Sequence, residues 1–449
     1  MIEQIISVTI FVIMFAVIIS EKIERHLVSL GCGLLMLIIV YGVCMKDPVA
    51  IWDTLNLKSF ITLSFWYTKG SAEGTSGINW STIVFIFGMM IMVEGMGRAG
   101  FFRWLCLRIA SIVNFKLMPV FISFMVMAFT LAMFIDSITV ILFLAAVTVE
   151  LAELLRFSPV PMILAEIFCS NLGGAATMCG DPPNIIIGTS LGYSFYDFIQ
   201  NTGVIAFIGL LVTIVYFVLH FGKQFKEHGT PAIQDNLPNP GEAIKSKCDF
   251  IVSSLIFLCA IILLVSHAIT GLTVATIGLL IALLTIIFSG REAFSIIRKI
   301  DYKTLLFFVG LFIVVDGLEK TKVLMLISST ISSLCGGNAH LMIAVILWVS
   351  AIASAFIDNI PFAATMIPVI SSLATTSGVD LSVLSWTLAC GTDIGGCATP
   401  IGASANVVGV SIATSNGHII GWSGYCRTML PITCIIIIMS MIIIFVKYL

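Results

Sequence analysis

The chain has 449 residues, of which 59% are hydrophobic and 10% charged, with a formal net charge of −2 and a mean hydropathy of +1.13. This composition excludes a soluble globular protein and gives no basic patch for a nucleic-acid partner, so the lipid bilayer is the expected surrounding.

Apolar runs of about 20 residues, the length that crosses a bilayer, recur from end to end. Ten full spans are predicted near 2–20, 27–45, 80–97, 161–191, 203–221, 250–267, 272–289, 304–318, 382–413 and 426–446. The first follows Glu3 and no small-residue site closes it, so no cleaved signal peptide is expected. Two further stretches, 118–152 and 340–373, place an aspartate near the middle of about 34 apolar residues, too long for one span and too short for two. Each is predicted to be a re-entrant hairpin, with Asp136-Ser137 and Asp358-Asn359 at the tips. The long polar segment from Lys223 to Lys247 is rich in Pro, Gly and mixed charge and reads as a linker. The predicted organisation is a first transmembrane repeat (1–221), a cytoplasmic linker (222–249) and a second, inverted repeat (250–449).

The repeat is visible at a fixed offset of 222 residues. "FIFGMMIMVEG" (85–95) meets "FFVGLFIVVDG" (307–317), pairing Glu94 with Asp316. "FIDSI" (134–138) meets "FIDNI" (356–360), and "NLGGAATMCGDPPN" (171–184) meets "DIGGCATPIGASAN" (393–406). Five spans per half is an odd number, so the second copy enters the membrane upside down, the plan of secondary transporters. Loops after odd-numbered spans carry 15 of the 22 Lys and Arg residues, which places them in the cytoplasm and both termini outside the cell membrane. The twelve cysteines form no C-x-x-C pair and read as small buried apolar residues, with no metal framework.

Glycines and prolines within 171–184 and 393–406 break two membrane helices, and such a break is tolerated only where the backbone is buried in protein or lines a cavity. It exposes carbonyls on one side and amides on the other, suited to cations and anions respectively. A carboxylate at mid-membrane costs at least about 2.5–3.5 kcal/mol, so Asp136, Asp358, Asp181 and Asp393 are expected to bind a cation, carry a proton or be paired. Almost no Lys or Arg falls inside the predicted spans, which points to protons or sodium. Glu94 and Asp316 are coupling candidates; a second reading makes them helix-end carboxylates, since Arg98 and Lys320 follow within a turn.

"SNLGGAATMCGDPPNIIIG" (170–188) together with "SAFIDNIPFAATMIPVI" (354–370) resembles the ion transporter superfamily. Within it, the similarity is to the branch of the P protein, the ArsB arsenite permeases, the plant silicon effluxers, the NhaD-type antiporters and the citrate transporters. The resemblance implies an all-α polytopic membrane protein of two inverted five-span repeats, each with a re-entrant hairpin and a broken helix, assembled as a homodimer. It implies a substrate and ion site at Asp136, Ser137, Thr139, Asp358, Asn359 and Pro361 on the tips. In the first broken helix the implied positions are Asn171, Gly173, Gly174, Thr177, Gly180, Asp181 and Asn184. In the second they are Asp393, Gly395, Gly396, Thr399, Gly402 and Asn406. The tips depart from the Ser-Asn-Thr of dicarboxylate and citrate carriers.

The function expected is secondary active transport of a small inorganic ion or oxyanion, arsenite-like or other, driven by a proton or sodium gradient through alternating access. The alternative is a sodium/proton antiporter; a di- or tricarboxylate carrier and a channel rank below. No enzyme motif and no cofactor site is visible, and ATP drive would need a separate ATPase subunit.

Overall fold

A computed structural model of the chain describes residues 2–20, 22–68, 77–227 and 238–449. Among these residues the protein is helical throughout, with one isolated bridge between Tyr67 and Leu272. Eighteen principal helices alternate with short turns. The first nine are α1 (Ile2–Ser20), α2 (Arg25–Met45), α3 (Trp80–Ala99), α4 (Phe101–Ile112), α5 (Leu117–Ala132), α6 (Ser137–Leu155), α7 (Val160–Gly174), α8 (Pro182–Leu191) and α9 (Phe195–Phe225). The second nine are α10 (Lys247–Thr270), α11 (Val274–Arg298), α12 (Tyr302–Lys320), α13 (Val323–Cys335), α14 (Ala339–Ser354), α15 (Asn359–Ser377), α16 (Leu381–Gly395), α17 (Ser404–Ser415) and α18 (Trp422–Tyr448). The second set follows the first in order and approximate length.

Nine of the described helices are long and apolar enough to cross a membrane. The predicted span 304–318 is a helix, α12, but Lys303, Asp316, Glu319 and Lys320 keep it outside that set. The predicted spans 161–191 and 382–413 each occur as two pieces, α7 with α8 and α16 with α17. Helix extends to Glu227, inside the expected linker, whose residues 228–237 lie outside those described.

Two helices went unpredicted. The segments 98–117 and 319–339 were expected as loops, yet they hold α4 and α13. In α4 the apolar residues Phe102, Cys106, Leu107 and Ala110 recur at helical spacing and are buried, while Arg103 and Arg108 are exposed. A search for membrane-length runs passes over such short amphipathic helices.

Side-chain caps start the helices that matter most for the site. Asn79 Oδ1 accepts from Thr82 N–H at the start of α3, and Asp301 Oδ1 from Thr304 N–H at the start of α12. The halves are interlocked rather than side by side: α2 packs on α12 and α11 on α3. Glycine makes these crossings close, since a Cβ on Gly88 would lie 2.1 Å from Gly278 O and one on Gly310 2.3 Å from Ser29 C. The rest of the core is formed by the hairpins α5–α6 and α14–α15 with the broken helices, where α17 packs on α6 and α8 on α15.

Candidate functional site

Each hairpin turns at its aspartate. In the first, Asp136 caps α6: its Oδ1 accepts from Thr139 N–H at 2.9 Å and its Oδ2 from the Thr139 hydroxyl at 2.7 Å. In the second, Asp358 Oδ1 accepts from Ile360 N–H, while Oδ2 accepts from Arg25 Nη1 at 2.6 Å and Ser404 Oγ at 2.9 Å. Asn359 Oδ1 accepts from Ser354 Oγ, and Pro361 sits in the first turn of α15. The tips therefore share a cap but differ in charge balance.

The broken helices share the bonds of their Thr and Asn side chains. Thr177 Oγ1 donates to Met133 O and Thr399 Oγ1 to Ala355 O, fastening each break to its own hairpin. Asn184 Nδ2 donates to Gly174 O and Thr177 O, and Asn406 Nδ2 to Gly396 O and Thr399 O. These bonds satisfy carbonyls that the interruption sets free. Close packing fixes the glycines: a Cβ on Gly173 would fall 2.2 Å from Phe129 O, and one on Gly395 2.3 Å from Ala351 Cα. Gly180 and Gly402 likewise pack on the Gly174 and Gly396 carbonyls. Asp181 lies over Gly174 and accepts from Ser137 N–H, joining the first break to the first tip. Across the halves, Asn171 Nδ2 donates to Asn406 Oδ1 at 2.8 Å. Asp393, in the position equivalent to Asn171, is fully buried, and neither of its oxygens has a hydrogen-bond partner.

Four helix N-termini, those of α6, α8, α15 and α17, converge on one region. A cavity of about 580 Å³ reaches it and is lined there by Asp136, Thr139, Gly180, Pro182, Asp358, Ser404 and Arg25. Its lining also includes Glu24, Glu94, Lys299, Asp301 and Lys303. A second recess of about 530 Å³, lined by Asn79, Ser190, Asp316, Glu319 and Pro368, does not include the tips. Because Asn79 borders the second recess and Glu94 the first, while Asp301 borders the first and Asp316 the second, α3 and α12 run in opposite directions between them. Beside the second recess Asn79 Nδ2 donates to Thr189 Oγ1 at 2.8 Å, and the Thr82 and Thr189 hydroxyls meet at 2.9 Å. The equivalent residues beside the cavity are not joined in this way: the Asp301 carboxylate is engaged by Thr304, and Ser411 is exposed.

Three of the carboxylates have basic partners, unexpectedly for Asp358 and in line with the helix-end reading for Glu94 and Asp316. Asp358 pairs with Arg25, a residue that the predicted span 27–45 leaves in a loop. Glu94 pairs with Arg98 at 2.7 Å and Lys299 at 3.4 Å. Asp316 Oδ2 accepts from Tyr41 Oη and Thr54 Oγ1 and lies 3.3 Å from Lys320 Nζ. Glu94 and Asp316 stand away from the tips, held in these pairs. Asp136, Asp181 and Asp393 have no such ion pair among the described residues.

Residues 15–391 match the family model described as a citrate transporter, CitMHS. The chain belongs to this family. A relative described as a 46 kDa membrane protein of Mycobacterium leprae (strain TN) is 30% identical over 449 residues, with 99% of each chain covered. The P protein of Sus scrofa is 26% identical over 402 residues, covering 71% of this chain and 47% of that protein. The YdaH transporter of Alcanivorax borkumensis has the same fold at a TM-score of 0.59 and 12% identity, over 94% of this chain and 96% of that one. As a member of the citrate transporter family the chain is a multi-pass membrane transporter and not an enzyme.

Proposed function

We propose that this transporter is a secondary active carrier of a small inorganic oxyanion, driven by a proton or sodium gradient through alternating access between inverted halves. The observation that carries the reading is the meeting of Arg25 with the N-termini of α6, α8, α15 and α17 in one cavity. Each helix N-terminus favours an anion by about 0.3–1 kcal/mol, and an arginine supplies forked donors for an oxyanion. That the cavity reaches the tips from one side, while the Asn79–Thr189 contact stands beside the other recess, supports one end state of an alternating cycle. Lys299 and Lys303 in the lining of this cavity support a cytoplasmic opening under the positive-inside rule. The proposal includes a homodimer in the cell membrane with both termini outside.

A sodium/proton antiporter is the second reading, favoured by Asp136, Asp181 and Asp393, none of which is ion-paired among the described residues. Purified protein in liposomes, with imposed proton or sodium gradients and arsenite, phosphate, chloride or citrate as cargo, separates the two. Gradient-dependent uptake of one inorganic oxyanion is expected. Uptake of citrate alone would replace that cargo with a tricarboxylate, and sodium/proton exchange with no anion movement would establish the antiporter.

A further inference from the structure

The two broken helices meet in a pair of equivalent contacts that differ by one atom type. In one, Asn171 Nδ2 donates a hydrogen to Asn406 Oδ1 at 2.8 Å. In the other, Asp393 and Asn184 hold the positions, 222 residues removed, that Asn171 and Asn406 hold in the first. The orientation of Asn184 is fixed: its amide nitrogen gives both hydrogens to Gly174 O at 3.1 Å and Thr177 O at 3.2 Å. Turning the amide over would set its oxygen against two carbonyls. Asn184 Oδ1 is therefore an acceptor, buried and unpartnered, and both Asp393 oxygens are buried and unpartnered acceptors as well. Two acceptors do not bond to each other. Leaving them apart and unsatisfied would cost about 1–3 kcal/mol per group, more if charged.

We propose that Asp393 is a proton-binding site, holding a carboxyl hydrogen that it donates to Asn184 Oδ1. The O–H then does what the Asn171 N–H does in the equivalent contact, and the remaining Asp393 oxygen matches the Asn171 Oδ1, which is also unpartnered. A carboxylate replaced by an amide in one half gives the pair a single exchangeable proton. In this proposal that proton passes through Asp181, which stands three residues before Asn184 in the same break. Asp181 is 3% exposed, and its neighbours Gly180 and Pro182 line the cavity. Loss of the proton from Asp393 to Asp181, and from there to cavity water, leaves one negative charge between the halves and two facing acceptors, which repel. Protonation would favour closure of the two broken helices on each other and deprotonation their separation. The other titratable groups acting on Asp393 are the thiols Cys390 and Cys397 of its own segment.

This inference deepens the coupling half of the proposed function, and its test needs no cargo. Infrared spectra of the purified full-length protein at neutral pH, without sodium, should show a protonated-carboxyl C=O band that Asp393→Asn removes while Asp181→Asn retains it. Glu166, another buried carboxyl with one unpartnered oxygen, contributes to the same spectral region, so the measurement is made in an E166Q background. An unchanged band in D393N overturns the proposal. If D393N does not fold, the E166Q protein that also carries D136N and D181N decides: a band that persists on adding sodium at constant pH supports the proton, and a band that is absent or that sodium abolishes overturns it. A failed cargo screen would leave this result standing, because the spectrum reports the carboxyl and not transport.

Discussion

Arg25 Nη1 lies 2.6 Å from Asp358 Oδ2, so the first residue of α2 is bonded to the tip of a hairpin 333 positions later in the chain. The arginine side chain is 38% exposed and the carboxylate 10%. A pair so open to water adds little to stability, about 0–1 kcal/mol, and its weight falls on the cavity's charge. Arg25→Gln should leave the melting temperature within a few degrees of wild type and raise the KM for the transported anion at least tenfold, about 1.4 kcal/mol in binding. Uptake kinetics in liposomes measure this. An unchanged KM would remove Arg25 from the substrate site.

The Asn79–Thr189–Thr82 contact should act as a closure on the side of the second recess. Thr189→Val keeps the volume and removes the hydroxyl that receives the Asn79 hydrogen, at a cost of about 1 kcal/mol to the closed arrangement. Opening to that side should become about fivefold more populated. A cysteine placed at Ser371, which lines this recess, should then react faster with a membrane-impermeant thiol reagent than in the parent. An equal rate would mean that the hydroxyls do not hold the closure.

The opposed directions of α3 and α12 lead to a sidedness prediction. Lys58, between α2 and α3, and Lys223, near the end of α9, are both exposed. Single cysteines at these positions in a cysteine-free protein should label from opposite faces, Lys58 from outside and Lys223 from the cytoplasm. Labelling from one face would contradict the inverted arrangement.

Glycine packing separates two otherwise similar substitutions. Gly173→Ala would push a Cβ to within 2.2 Å of Phe129 O, a backbone atom that has no rotamer to escape into. The cost is expected to be about 1–3 kcal/mol or more. Gly31→Ala, on α2 with nothing within 4 Å of the added carbon, should be neutral or stabilising by up to about 1 kcal/mol. Thermal unfolding in detergent compares them directly, and equal melting temperatures would show that the break is not tightly packed against the hairpin.

The motifs announced the site because the residues that break a helix are also the residues that rebuild its bonding. Asn184 and Asn406 were legible for that reason, as were the turns at Asp136 and Asp358; the arms α6 and α15 that follow them, expected as parts of re-entrant hairpins, are long and apolar enough to cross a membrane. Arg25 was not legible, since a hydropathy window ends where a charge begins and no window records that the charge folds back onto a hairpin tip. The pairing of α1 and α2 with α10 and α11 is implied by five spans per half but is not carried by the fixed offset. The stretch between Met45 and Trp80 holds short helices, Pro48–Leu55 and Leu63–Trp66, whereas the shorter stretch between Ser289 and Tyr302 holds only Gly290–Glu292 and Ala293–Arg298. The fixed offset of 222 therefore fails ahead of α3.

The crossing of α2 over α12 and of α11 over α3 has a consequence for biosynthesis. Gly33 Cα would carry its Cβ to 3.3 Å from Gly310 O, so the mate of an early helix is not translated until most of the chain has been made. During synthesis α2 must wait in the bilayer, its glycine face turned to lipid or to an insertion factor, and contacts this distant in sequence form slowly. Neither half alone is a finished folding unit. Two halves expressed as separate polypeptides cut within the linker should reach the membrane singly yet become protease-resistant only when made together.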